Sequence, residues 1–461
     1  MSIDRRNFLA LGSVGIGVGA SIGAAGPAAA RPSGARGATI SGGALDATHF
    51  GLRPGAADNQ SPALQAAINE AARRALPLFL PPGRYLVSNI RLPDGAYLAG
   101  VPGASQLLFA GGDNMLFSEG ARLVTLYGLT IAGAGNRLTS GTPGLVHLRS
   151  VAGVAVESCT IADSLRSGLV LEYCAGHVAS CELAACADSA LFSLDAQGLE
   201  ITGNQIHDCG NNAIQIWRSK AGDDGTIIAH NRIGNIEARD GGGGQNGNGV
   251  VIFRAASVNI SNNRISNCAA SAVRASAGSN CQILGNSCTG LGGVALHAES
   301  GIQGAVIANN IVDQAAGGIS ITNFDHGGRL AVCSGNIVRN LSPQAESDDH
   351  RGRGIGIGVE ADTVLANNVV EGAPRAGIWL GWGEALRDVS ATGNVVRDAQ
   401  IGIAVSVAPG AGKALISDNL ISRSRAGAIV GMKWLETATG DLAREGAAQI
   451  PGIAVERNHV S

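Results

Sequence analysis

The chain of 461 residues is 45% hydrophobic and 15% charged, enough apolar material to bury a large core and too little charge for a disordered polyelectrolyte. A formal net charge of -3 leaves no basic footprint, which argues against general attraction to nucleic acid or to an anionic membrane surface. The 68 glycines stand at about twice the usual ~7% without collagen's period, so they predict many tight turns.

At the N-terminus, Arg5 and Arg6 precede Phe8 and Leu9, a Gly-rich and mildly apolar run extends to Ala25, and small residues occupy Ala28 to Ala30. That is the order of charged region, apolar region and cleavage site, and residues 1–30 resemble a twin-arginine signal, an address read by the twin-arginine translocase. The mature chain is then expected to start near Arg31, with 31–45 as a linker, and to reach the periplasm or beyond already folded. No later window holds ~18 uninterrupted apolar residues, so no membrane-spanning helix is expected.

Residues 46–120 read as an N-terminal cap and first coils. In "SPALQAAINEAARRA", Ser61 suits an N-cap and Pro62 the first helical position, while Leu64, Ile68 and Ala71 share one face. From 121 to 461 a repeat takes over. "LEITGNQIHDCGNNAIQIW" at Leu199 returns as "VNISNNRISNCAASAVRAS" at Val258 and "VIANNIVDQAAGGISIT" at Val306. A marker Asn recurs at Asn204, Asn231, Asn263, Asn286, Asn310, Asn336, Asn368, Asn394, Asn419 and Asn458, with Cys159 and Cys181 in its place on two earlier rungs. Self-similarity at such a period marks a solenoid.

Three residues before the marker and two after it, the columns are apolar nearly throughout, as in Ile201, Ile228 and Ile260 or Ile206, Ile233 and Ile265. Alternation about the marker has period two, so the elements are short strands, and each repeat is one coil of a parallel β-solenoid. Asn tolerates left-handed backbone and its amides can bond along a stack, so the marker is expected to turn the corner. A third strand closes each coil, as in "AIQIW", "GVVIF", "AVRAS", "VALHA" and "GIWLGW". The nine cysteines contain no C-x-x-C pair to suggest a metal, and Cys186, Cys209 and Cys268 lie in a core column. Cys159 with Cys181, and Cys186 with Cys209, occupy equivalent places on adjacent coils, close enough to allow disulfides in an oxidising compartment. The segment from Glu436, "ETATGDLAREGAAQ", or else a partner, is expected to cover the last coil's open edge.

The run "DATHFGLRPGAADNQSPALQAAINEAARRALPLFLPPGRYLVSNIRLPDGAYLAG" resembles the first segment of pectate-lyase-like proteins. With the repeats, residues 46–461 resemble the right-handed parallel β-helix superfamily, and the signal narrows the likeness to exported β-helix proteins of unassigned function. The implied fold is all-β, a right-handed parallel β-helix of three strands per coil with an N-terminal capping helix. The superfamily holds lyases, hydrolases, epimerases and tailspikes, so the resemblance does not choose a reaction. The N-T-D, D-D, G-H-G and R-I-K set of polygalacturonase relatives is missing, as are a pectate-lyase-like calcium set and the D-P-H-E signature of alginate epimerases. A need for Ca²⁺ is left open, no other cofactor is expected, and "GDDG" at Gly222 to Gly225 reads as a solvated loop.

Aromatic placement speaks most about function. All four tryptophans, Trp217, Trp379, Trp382 and Trp434, lie on the third strand or just after it, in a chain only 3% aromatic. Such rings suit stacking on sugars, so Gln215, Trp217, Arg218, Phe253, Arg254 and Trp379 are the candidate binding residues. Strand alternation turns Gln215, Arg274, His297 and Ser320 outward on that side, with Glu299, Asp325 and His326 near the strand ends. Arg274 can neutralise a uronate carboxylate, His297 or Glu299 can serve as base, and Asp325 or His326 as acid. These residues, with the Arg218 and Arg254 guanidinium groups expected to take carboxylates or sulfates, lead to an exported lyase or hydrolase acting on an acidic polysaccharide along that face, the alternative being a non-catalytic polysaccharide-binding or envelope scaffold.

Overall fold

A computed structural model describes residues 43–242, 244–321, 327–342 and 353–461. Residues 1–30, expected to be a twin-arginine signal, and most of the expected linker lie outside the described residues, and a compact unit begins at Leu45. Among the described residues no helix is long and apolar enough to cross a membrane.

The compact unit is a parallel β-helix. Its first side is a 16-stranded sheet in which successive coils pair in order, from Leu45–Asp46 to Ile453–Glu456. The marker corner leads to a second side, exemplified by Gln205–Cys209 on Arg232–Ile236, and then to a third, exemplified by Asn212–Asp223 on Asn248–Ala256. In two coils, Ser287–Glu299 and Ile311–Ile321, strand geometry continues unbroken from the second side into the third. Inward columns fill the core: Ile201, Ile228 and Ile260 from the first side and Ile206 from the second are fully buried, as are Ile216 and Ile252 from the third. A coil alone leaves these side chains and its ladder groups exposed, so the stack is the stable unit.

The marker asparagines form a continuous ladder from Asn204 to Asn458. Each Nδ2 donates to the next coil's Oδ1 at 2.9–3.0 Å. The same Oδ1 accepts the preceding marker's backbone N–H, as in Asn310 N to Asn336 Oδ1 at 3.0 Å. The corner itself is turned one residue earlier than the sequence suggested. Left-handed backbone falls on Ser158, Ser180, His230, Asn262, Asn309 and Asn367, the residue before each marker, and glycines do the same at Gly203 and Gly285. The marker's amide is thereby aimed into the corner, where it satisfies backbone groups that a turn would strand.

The capping helix, α1 (Ser61–Arg73), buries Leu64, Ala67, Ile68 and Ala71. Gln60, not Ser61, holds the N-cap position, without a side-chain cap bond. Ser61 Oγ instead accepts from Ser88 N at 2.8 Å and so ties the helix to the first coils. At the other end Glu436–Asp441 pairs antiparallel with Ile429–Lys433, covering the last strand of the third side. Asp441 accepts from Ala428 N and Ile429 N at 3.0 and 3.1 Å, standing in for the carbonyls that another coil would offer.

All nine cysteines are buried free thiols, so the two vertical pairs open to disulfide bonding are unbonded here. Burial raises the Cys268 and Cys333 thiols to about 12 and keeps them protonated, as core hydrophobes.

Candidate functional site

The third side carries two outward columns whose register follows from the strand pairing. One runs Arg91, Phe117, His147, Val170, Phe192, Gln215, Val251, Arg274, His297, Ser320. The other, two residues further along each strand, runs Glu119, Arg149, Glu172, Leu194, Trp217, Phe253, Ser276, Glu299. Gln215, Arg274, His297 and Ser320 thus share a column, and Trp217 and Phe253 are direct neighbours, because Ile216 and Ile252 between them are buried in the barrel.

The aromatic residues make a short ladder. Phe192 meets Trp217 edge-on, with centroids 5.6 Å apart at 78°, and Trp217 meets Phe253 at 5.6 Å and 57°. All three rings are half-buried. Next to Phe253 the column narrows to Ser276 and then reaches a charged cluster. Arg274 Nε donates to Glu299 Oε1 at 2.5 Å, and His297 Nε2 lies 3.6 Å from Glu299 Oε2. Their side chains are 22%, 12% and 20% exposed for Arg274, Glu299 and His297, so solvent screens this cluster only partly. Gly244 presses on it: at φ +82°, an added Cβ would fall 1.3 Å from Arg274 Nη1.

Several expected site residues sit differently. Arg218 Nη1 donates to Ala196 O at 3.1 Å and lies 3.9 Å from Asp224 Oδ2, so it braces the turn. Arg254, in left-handed backbone, lies 4.8 Å over the Phe253 ring and donates to Ser219 O at 3.3 Å. Gln215 points away from the barrel yet is 3% exposed, and its Oε1 has no hydrogen-bond partner among the described residues. Trp379, expected on the open face, is 5% exposed and packs in a small second cluster with Ile401, Val430 and Met432, which leaves no open ring face. Asp325 and His326 lie outside the described residues.

Two features escaped the sequence reading. "GDDG" is not wholly a solvated loop: four residues bulge between Trp217 and Gly222, after which Asp223 pairs with Ala256 and Asp224 is buried. Burial raises the Asp224 carboxyl to about 6 despite a 2.5 Å bond from Thr226 Oγ1 and the nearby Arg218. The loop before Asn248–Ala256 is held by a second asparagine pair. Asn248 Nδ2 donates to Asn212 Oδ1 at 3.1 Å and to Gly244 O at 3.2 Å, and Asn212 Nδ2 to Gln245 O at 3.1 Å. The signal was present in "NAIQIW" and "NGVVIF", each opening on Asn at the same place. Among the described residues no group of three or more His, Cys, Asp or Glu side chains is placed to hold a metal.

Comparison with known proteins bears on the fold. A search of the curated proteins finds no significant match. Among solved structures, the A-module of a mannuronan C-5 epimerase from Azotobacter vinelandii is 17% identical over 71% of this chain and 96% of its own, with a TM-score of 0.48. The pre-mature gene product 12 of bacteriophage phi29 is 14% identical over 84% of this chain and 55% of its own, at 0.50. The catalytic unit of an α-1,3-glucanase from Streptomyces thermodiastaticus is 13% identical over 92% of this chain and 70% of its own, at 0.44. At such identities the likeness is one of fold alone. The model of the right-handed β-helix region matches residues 123–233 and 220–396, more than half of the chain and most of the coils that carry the two outward columns, and the chain belongs to that family.

Proposed function

We propose that the protein is an exported carbohydrate-active enzyme that binds an acidic polysaccharide along the third side and cleaves it at the Arg274, His297 and Glu299 cluster. The observation that carries this reading is the register: Trp217 and Phe253 lead, coil by coil, into a partly desolvated group of one guanidinium, one imidazole and one carboxylate. Rings hold sugar faces by dispersion, while a preorganised cation gains strength where water is scarce.

β-Elimination uses these groups most directly. Arg274 would stabilise the charge developing on a uronate carboxylate as His297 takes the proton from the adjacent carbon. The bond from the neighbouring carbon to the glycosidic oxygen then breaks, that oxygen takes a proton from solvent water as it leaves, and a carbon–carbon double bond remains. Glu299 fixes Arg274 and lies near His297. Hydrolysis needs two carboxyl groups flanking the bond, and among the described residues Glu299 is the one in this cluster.

The test is the absorbance of unsaturated uronate across a panel of acidic glycans. Wild-type protein should produce it, and a His297→Ala, Glu299→Ala double variant should lose at least a hundredfold in rate. Full activity in that variant would sink the assignment. Binding without product on every glycan would favour a non-catalytic scaffold. The aromatic ladder is tested separately: Trp217→Ala with Phe253→Ala should weaken binding of an acidic oligosaccharide at least tenfold, about 1.4 kcal/mol. Unchanged affinity with a lowered melting temperature would make the rings purely structural.

A further inference from the structure

The two outward columns hold a second charged cluster that the proposed chemistry leaves unused. His147 Nε2 lies 3.4 Å from Glu172 Oε2, Arg149 Nε 3.6 Å from the same oxygen, and Arg149 Nη1 3.5 Å from Glu119 Oε1. Phe117 packs edge-on against His147 at 5.4 Å, and the Arg91 guanidinium lies 5.4 Å over Phe117. Contact with His147 and the Arg149 charge lowers the Glu172 carboxyl below its ordinary value, so it is ionised at neutral pH. Arg149 remains 49% exposed, and its contacts with Glu119 and Glu172 are loose.

The geometry repeats that of the first cluster. His147 in one column reaches Glu172 in the other, one coil on, just as Arg274 reaches Glu299. Five coil steps separate the two pairs, about 24 Å at ~4.8 Å per step. The levels between them carry Phe192, Leu194, Trp217, Val251 and Phe253, with Gln215 the polar exception. The arginines beside those levels are engaged elsewhere, Arg218 on Ala196 O and Arg254 on Ser219 O and the Phe253 ring. A carboxylate laid there would lose water against apolar groups without a strong donor in return, whereas a neutral sugar face would gain contact. One coil step is close to the length of one hexose unit in an extended chain, so charges four or five sugars apart span the two clusters once the reach of the arginine side chains is counted.

Resting on the reading above, we infer that the groove takes a sparsely charged heteropolysaccharide, in which neutral sugars separate acidic ones so that two charges reach the two clusters at once, and not a homopolyuronate. Calorimetric titration with gellan oligosaccharides, which carry one glucuronate per four-sugar repeat, and with polygalacturonate oligosaccharides of equal length tests it. Gellan fragments long enough to bridge both clusters should bind at least tenfold tighter than polygalacturonate. Arg149→Gln should remove most of that advantage and affect single-repeat fragments far less, since their one charge can still reach Arg274, and its exposure makes loss of fold no concern. Equal or tighter binding of polygalacturonate, or an Arg149→Gln variant indistinguishable from wild type, overturns the inference and leaves the acidic-glycan groove standing. Absence of binding to both glycans, and to every other acidic glycan tried, overturns the groove itself.

Discussion

Replacing Asn310 with alanine is expected to lower the unfolding free energy by about 3 kcal/mol or more, the cost of leaving several buried polar groups unpaired. Asn310 has no exposed surface and sits in the middle of the ladder. Its Nδ2 donates to Ile283 O at 2.9 Å and to Asn336 Oδ1 at 3.0 Å, while its Oδ1 accepts from Asn286 N and Nδ2 at 2.9 and 3.0 Å. Truncation therefore strands the Asn286 donors and a buried carbonyl, and adds a cavity that water fits poorly. Equilibrium denaturation of Asn310→Ala beside wild type measures the loss. A difference under 1 kcal/mol would mean that water or neighbouring backbone replaces the bonds. In a stack the damage should also be local, so hydrogen exchange ought to quicken first in the coils beside Asn286 and Asn336.

Asp224→Asn is expected to stabilise the protein at pH 7.5 and above by about 3 kcal/mol, and to change little at pH 4. The folded carboxyl titrates at about 6 against an ordinary 3.8, so the folded state holds its proton more tightly than the unfolded state does. A raised carboxyl pKa contributes stability that is fully present below 3.8 and is lost as pH rises through about 6. Two pKa units at 1.36 kcal/mol each set the size, about 3 kcal/mol. Asparagine removes the buried charge and can still accept from Thr226 Oγ1. Denaturation curves of both proteins from pH 4 to 8 check the sign: the variant's advantage should open between pH 4 and 7. A variant less stable than wild type at pH 7.5 would show that the ionised carboxylate and Arg218 form a net favourable pair.

The coil was legible because its causes are periodic. Apolar columns at fixed offsets from a recurring Asn reveal strands, their inward faces and their stacking, since each rung repeats the same local solution to burying the same backbone. The outward placement of Trp217, Phe253, Arg274 and His297 followed from alternation alone. What neighbouring rungs do to an outward residue was not legible. Trp379 alternates outward like Trp217, yet Ile401, Val430 and Met432 from later coils cover it. Asp224 looked solvated within "GDDG", yet pairing of Asp223 with Ala256 carries it under the surface. The left-handed corner lies before the marker because the marker's amide has to point inward to reach the next coil, a demand set by a residue 23 to 39 positions away. The solenoid, its three sides and which side gathers aromatic and charged groups can be read from the residues alone, because those depend on local alternation. Which of those groups stand open, which are braced and which pair into clusters depends on the folded stack, because burial and ion pairing are settled between coils distant in sequence.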